Sequence, residues 1–245
     1  MIIGQKEIFI EEINSTNQYA KELVSNTKPF EGTAIFTDYQ QQGRGQNGNV
    51  WQGTRSENLY LSVILYPRFL AIQNHYLLNK AICLSVWESI AAYFPEVQIK
   101  WPNDIYAKGE KVAGILIENN LQGSNWQSAI VGIGVNLNQR VFPEGINATS
   151  LHNLTKREID RTAYRKLLYK KLNKNYLAIR AGQKESIDRV YTKNLLGYQE
   201  VHAFEADGKK FTAQLLGVDN QGNLCLEQEG QLKYYRHGRL RQVVG

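Results

Sequence analysis

Cysteine is scarce in this sequence. Cys83 and Cys225 are the only two, they lie far apart, and they match no ligand or redox spacing. A disulfide framework and a cysteine metal site are therefore excluded, and two buried, reduced thiols in a cytosolic protein are expected. Long apolar runs are missing too: none approaches the ~20 residues a membrane-spanning helix needs. The opening Met1-Ile2-Ile3-Gly4-Gln5-Lys6-Glu7 has no basic stretch followed by an apolar core, so no secretory signal is read there. A cytoplasmic location without membrane attachment follows as an expectation. Hydrophobic residues at 42% and charged residues at 21% exclude a mainly disordered chain. A length of 245 residues suits one large α/β domain with a small appendage.

The net charge of +6 is regional. Between Leu151 and Leu195 twelve basic residues face four acidic ones, a surplus of eight that leaves the rest of the chain at −2. A basic helical face of this kind can steer an acidic partner or bind nucleic acid. It can equally be a solvated surface, because no pattern of aromatics and arginines suited to reading bases is interleaved with it.

Strand-like and helix-like patterns alternate through the first 135 residues. Lys6 to Ile13 reads as a strand, and Ser15-Thr16-Asn17-Gln18 as a capping box that opens a helix through Val24. Thr33 to Gln40 and Asn58 to Pro67 read as strands, and Gln73 to Phe94 as a long helix buried on more than one side. Val97 to Trp101, Ile105 to Ala107, Lys111 to Glu118 and Trp126 to Leu137 complete a set of strands with short links. The fold class expected is α/β of the α+β type: a mixed or antiparallel sheet with helices on one face. Thr155-Lys156-Arg157-Glu158 reads as a second capping box, with helix running on to about Leu195 and Tyr164, Leu168, Leu172 and Tyr176 as its packing stripe. From Gly197 the turns Asp207-Gly208, Asn220-Gln221-Gly222 and Glu229-Gly230 separate short strands, which suggests a small SH3-like β-barrel. The domains expected are residues 1–195 and 196–245.

Gly43-Arg44-Gly45-Gln46-Asn47-Gly48 satisfies the G-x-G-x-x-G pattern, yet a strand follows it where a dinucleotide fold would have a helix. No Asp or Glu lies between Leu59 and Trp87 to hold a ribose. A loop with three glycines and an arginine still lets backbone N–H groups and a forked cation approach a phosphate.

A second cluster is more specific. Lys100-Trp101-Pro102-Asn103-Asp104 is followed by Lys111-Val112-Ala113-Gly114-Ile115-Leu116-Ile117-Glu118. With Ser15-Thr16-Asn17, the glycine loop and Val131-Gly132-Ile133-Gly134-Val135-Asn136-Leu137, the order resembles that of the biotin–protein ligases. The resemblance implies a ligase that converts biotin and ATP to biotinyl-5′-adenylate and passes biotin to a lysine of a biotin carboxyl carrier domain. It implies a catalytic set of Arg44, Lys111 and Asp104. Ser15, Thr16, Asn17, Gln40, Gly43, Arg44, Lys111, Gly114 and Leu116 would hold biotin. Arg44, Gln46, Asn49, Trp51, Lys100, Asn103, Lys111 and Asn136 would hold the nucleotide. Mg²⁺ carried by the phosphates, with Asp104 as its acidic contact, is the one metal implied, and no tightly bound cofactor is. A homodimer is compatible with the family.

Departures from the family pattern matter. Its bacterial members often read Gly-Arg-Gly-Arg-Arg-Gly-Arg where this chain has neutral amides at Gln46, Asn47 and Asn49. His237-Gly238-Arg239 puts basic groups where relatives often have an acid. Some relatives carry an N-terminal winged helix-turn-helix. Here Ser15-Thr16-Asn17 comes too early for one to precede it, so no operator binding is expected. The rival readings are a lipoate–protein ligase of the same superfamily, a basic nucleic-acid-binding module, and an inactive adenylate sensor. His75, His152, His202 and His237 show no mutual ligand spacing and read as structural or exposed.

Overall fold

The computed structural model describes residues 1–122 and 125–243, with the side chains of Asn47 and Asn125 outside that description. Strand β1 (Glu7–Ile13) leads through helix α1 (Thr16–Asn26) to β2 (Ala34–Gln40), and β1 and β2 pair in parallel. A parallel pair requires a crossover, which α1 provides. The remaining strands are β3 (Leu59–Leu65), β4 (Val97–Lys100), β5 (Asp104–Ala107), β6 (Glu110–Gln122) and β7 (Asn125–Val135). They join antiparallel in a seven-stranded mixed sheet ordered β1-β2-β3-β7-β6-β5-β4.

Alternation along β3 divides the protein into two layers. Leu59, Leu61, Val63 and Leu65 face the main core, where helix α2 (His75–Ala91) packs with α4 (Arg161–Arg180) and α5 (Lys184–Lys193). Ile64 points the other way, to Ala20 of α1, Ile35 and Ile130. The helical layer expected on one face is thus α2, α4 and α5, and α1 adds a smaller layer opposite. Tyr164, Leu168, Leu172 and Tyr176 are all fully buried, as a packing stripe should be. Cys83 is buried and Cys225 half-buried; both are free thiols.

The second capping box is not one. Thr155 ends a short helix, α3 (Leu151–Thr155), and Lys156 adopts a left-handed backbone at φ 59° that closes it. Asp160 caps α4 instead, accepting from the backbone N–H groups of Thr162 and Ala163. The pattern Thr-x-x-Glu misled because a capping box needs extended backbone at its first residue. The helical stretch to Leu195 also breaks in two, at Gly182.

The C-terminal module is a five-stranded antiparallel sheet ordered β11-β10-β9-β8-β12, from β8 (Val201–Ala206), β9 (Lys209–Val218), β10 (Leu224–Gln228), β11 (Gln231–Tyr235) and β12 (Arg241–Gln242). Positive φ at both residues of Asp207-Gly208 and of Glu229-Gly230 fits the tight hairpin turns expected there. The module is pinned to the main sheet through α2. Lys80 is buried against Asp188 of α5, donates to the carbonyl of Val218 at 2.7 Å and stands over the rings of Tyr76 and Tyr191.

Candidate active site

A cavity of about 270 Å³ opens on the α1 face of the sheet. Its floor exists because three residues lack side chains: Gly114 pairs across the ladder with Gly134, and Leu116 with Gly132. The indole of Trp51 lies in the slot this leaves. A methyl group on Gly114 would sit 2.7 Å from Trp51 Cζ3, and one on Gly134 would collide with the same ring. Trp51 Nε1 is buried with no hydrogen-bond partner among the described residues.

One end of the cavity is polar and uncharged. Ser15 is the N-cap of α1, its Oγ accepting from the N–H of Gln18 at 3.5 Å. Gln40 Oε1 accepts from the N–H of Thr16 at 2.9 Å and from its hydroxyl at 3.1 Å. Ser62 Oγ lies 2.7 Å from Thr16 Oγ1 and 2.5 Å from Asn17 Oδ1, and with one proton it serves one of them at a time. Asn17 Nδ2 donates to Glu118 at 2.9 Å, and Glu118 pairs with Lys21. Ser15, Thr16, Asn17 and Ser62 are all at least 96% buried. Buried polar groups are tolerated only when paired, so this end is preorganised for a neutral ligand that hydrogen-bonds.

The other end is cationic. The β4–β5 hairpin sets Lys100 opposite Asp104, through a Trp101–Pro102 bond that is cis. Asn103 clamps the hairpin to β6, its Nδ2 donating to the carbonyl of Ile115 while Ile115 N–H returns a bond to Asn103 O at 3.0 Å. Lys111 Nζ meets Asp104 Oδ1 at 2.7 Å and stands 5.2 Å from the Trp51 ring. Lys100 Nζ donates to Tyr106 OH at 3.3 Å. Burial, and next the charge of Asp104, push the Tyr106 phenol up to about 12, so it stays protonated at neutral pH. Arg44 reaches the wall from a loop closed at its base by Trp51 N–H on Gly43 O at 2.9 Å and at its tip by a 3-10 turn, Gln46–Gly48. Gln46 and Asn49 also line the wall.

Two residues of the sequence-based set stand outside the cavity wall. Gly43 borders the groove next to it, beneath the loop. Asn136 is 3% exposed, and its Nδ2 donates to the carbonyls of Lys111 and Thr149. It therefore holds the backbone of Lys111. Sequence reading missed Ser62, Gly132, Gly134 and the roof, where His237, Leu240, Arg241 and Gln242 of the C-terminal module complete the wall. His237, read as structural or exposed, packs edge-on against Trp101 with ring centroids 5.6 Å apart. Trp101 itself is 7% exposed and donates to Gly222 O at 3.0 Å, bonding the two modules at the rim.

The biotin/lipoate A/B protein ligase family matches residues 9–136, a span that holds the glycine loop, the β4–β5 hairpin and most of the cavity floor. The chain belongs to that family. It is 33% identical to the bifunctional ligase/repressor BirA of Bacillus spizizenii over 240 residues, covering 96% of this chain and 73% of that protein. It is 26% identical to the biotin–[acetyl-CoA-carboxylase] ligase of Mycobacterium tuberculosis, covering 91% and 83%. The biotin protein ligase of Aquifex aeolicus, solved with biotin and ATP, superposes with a TM-score of 0.82 at 29% identity, covering 98% of this chain and all of that one. Family membership extends to the mixed α/β fold and its C-terminal antiparallel sheet. Among the described residues no helix is long and apolar enough to cross a membrane.

Proposed function

We propose that the protein activates biotin with ATP and transfers it to a lysine of a biotin carboxyl carrier domain. The observation that carries this reading is the polarity of one cavity: an uncharged hydrogen-bonding end at Ser15, Thr16, Asn17 and Gln40, with Ser62 bonded to Thr16 and Asn17, and a cationic end at Arg44, Lys100 and Lys111. Biotin has the matching polarity, with a neutral ureido ring at one end and a carboxylate at the other. Lipoate has no ureido edge to satisfy the polar end, which favours biotin over the sibling activity.

In the first step a carboxylate oxygen of biotin attacks the α-phosphorus, the bond to the β-phosphate oxygen breaks, and its electron pair leaves with pyrophosphate. No general base is needed, since the carboxylate is already ionised near neutral pH. The barrier is an anion approaching a polyanion, so fixed cations and positioning supply the catalysis. Lys111 and Arg44, which line the cavity with Trp51, would supply those cations.

A metal ion on the phosphates would neutralise part of their charge. The described residues hold no group of three or more His, Cys, Asp or Glu that could bind a metal alone. Mg²⁺ takes most of its ligands from phosphate and water, and Asp104, which lines the cavity, would be its carboxylate contact.

In the second step the carrier amine attacks the carbonyl carbon of the mixed anhydride and AMP leaves. An amine with a pKa near ~10.4 is almost wholly protonated at neutral pH. Asp104, with Oδ1 engaged by Lys111, offers Oδ2 to orient that amine and take its proton.

Incubation with biotin, MgATP and an apo carrier domain, read by intact mass, tests substrate, reaction and acceptor together. A single biotin added to the carrier is expected; an unmodified carrier with no labelled pyrophosphate exchanged into ATP would end the reading.

A further inference from the structure

The turn that joins β4 to β5 has Lys100 before it and Asp104 after it, paired across the hairpin. Its front is tied to β6 through Asn103. Its back is tied to α2: Tyr76 OH donates to Pro102 O at 3.1 Å, and the thiol of Cys83, at 3.9 Å, is a weak second donor. Pro102 has no N–H to offer, so its carbonyl is the one backbone group through which it can be hydrogen-bonded.

The direction of these bonds follows from the chemistry of the groups. A carbonyl only accepts, so the proton of Tyr76 lies toward Pro102, and its oxygen is left to accept from Tyr191 OH, 3.3 Å away on α5. The hydroxyls therefore form a chain from Tyr191 through Tyr76 to Pro102, and bonds in such a chain polarise and strengthen one another. Burial raises the pKa of both phenols above the ordinary tyrosine value, so both keep their protons at neutral pH. The rings are fixed as firmly as the oxygens. They meet edge to face with centroids 6.5 Å apart, and Lys80 Nζ stands over both. Gly222, in the turn between β9 and β10, lies so close to Tyr76 that a methyl group there would collide with the ring. Yet none of Tyr76, Cys83 and Tyr191 is among the residues that line the cavity.

We propose that Tyr76 is a positioning residue for the transfer step, holding the turn by Pro102 O so that Asp104 keeps its place beside Lys111. The inference rests on the role given to Asp104 in the proposed function, and adds to it the group that fixes that carboxylate from behind. Asp104 has one oxygen engaged by Lys111 at 2.7 Å, and a small movement of the turn would break that pair or turn the free oxygen away from the amine. Arg44 and Lys111, the cations of the first step, rise from the glycine loop and from β6, not from the turn. Loss of the tie therefore falls on transfer more than on adenylation.

Tyr76→Phe removes one oxygen and keeps the ring that packs against Tyr191 and Gly222. Single-turnover transfer from preformed adenylate should slow about fivefold, as loss of one net hydrogen bond predicts, with KM for biotin unchanged and adenylation slowed less. Tyr191→Phe removes an equally buried hydroxyl but leaves the bond to Pro102, and should slow transfer less. If Tyr76 acts through Asp104, Tyr76→Phe should cost little further in the Asp104→Asn background, whereas a merely structural loss would cost as much in either. Hydrogen exchange gives a readout without turnover: amides of residues 97–107 should exchange faster in Tyr76→Phe, and those of β2 and β3 at the wild-type rate. Wild-type transfer by Tyr76→Phe, an equal loss in Tyr191→Phe, or full additivity with Asp104→Asn would overturn the proposal. If exchange responds but wild-type protein adds no biotin to the carrier, the tie stands and the proposed function falls. If biotin is added and neither exchange nor transfer responds to Tyr76→Phe, the function stands and the tie falls.

Discussion

Lys111 Nζ lies 2.7 Å from Asp104 Oδ1, an ion pair made at the mouth of the cavity beneath the Trp51 ring. On the proposed mechanism, Lys111 of this pair is the cation for the mixed anhydride and Asp104 the carboxylate for the carrier amine. The two roles can be separated. Lys111→Met should slow adenylate formation by about 10²–10³, the loss typical when one preorganised electrostatic group is removed from developing charge. Single-turnover adenylation followed by quench would show it. Asp104→Asn should act chiefly on transfer: from preformed adenylate, the rise of the transfer rate with pH should shift toward the range where the amine is neutral unaided. A transfer profile identical to wild type would confine Asp104 to the first step.

Gly134 should tolerate no side chain. A methyl there meets the indole of Trp51, which has Gly114 beneath another part of the same ring. Gly134→Ala is therefore expected to displace Trp51 and speed adenylate release, while the fold survives because the collision is with a side chain at the cavity and not within the main core. Trp51→Ala in the Gly134→Ala background should add little further loss, since both changes remove the indole from the same slot. A double-mutant cycle on adenylate dissociation reads this coupling, and additive effects would refute it.

How much of this site could be read in the sequence depends on how local each signal is. Ser15 announces α1 because a cap and its helix are neighbours in the chain, and the observed N-cap bond to Gln18 is the one expected. The β4–β5 hairpin and the start of β6 hold Lys100, Asp104 and Lys111 within a dozen residues, so their meeting was legible. Ser62 was not, since a serine in an apolar strand shows nothing of α1 lying across it. His237 and Arg241 lie more than 120 residues from the hairpin they face, and only the docking of the C-terminal sheet brings them there. Thr155 shows the opposite error, a local pattern that the backbone of Lys156 overrides.

Gln46→Arg should slow escape of the adenylate. Gln46 lines the cavity wall in a loop whose one cation is Arg44, while the side chain of Asn47 lies outside the described residues. A charged hydrogen bond to the phosphate contributes roughly 1.5–3 kcal/mol where water is excluded. The wall is partly open at the loop, so the lower end applies and a slowing of about tenfold is expected. Release of labelled adenylate into excess unlabelled ligand measures it, and equal rates would show that the loop does not hold the phosphate.

Lys100 offers the clearest conflict between stability and ligand binding. Its pKa in the folded protein is lowered, by burial first and then by Lys111 and Arg241 against the opposing pull of Asp104. The unfolded chain therefore binds the proton more tightly, so below the lowered pKa the folded state bears the full cost of the charged amine. That cost is relieved as pH rises from the lowered value to the ordinary ~10.4 of a free lysine. Lys100→Met keeps most of the side chain's length and removes the charge. At neutral pH it should melt at a higher temperature than wild type, and its advantage should shrink as pH climbs through that window. The same variant should bind ATP more weakly, because the charge that costs stability in the empty protein is the one an incoming phosphate neutralises. Melting curves across pH, beside ATP titrations, check both halves. A variant no more stable at neutral pH would show that the contact of Lys100 with Tyr106 outweighs its burial.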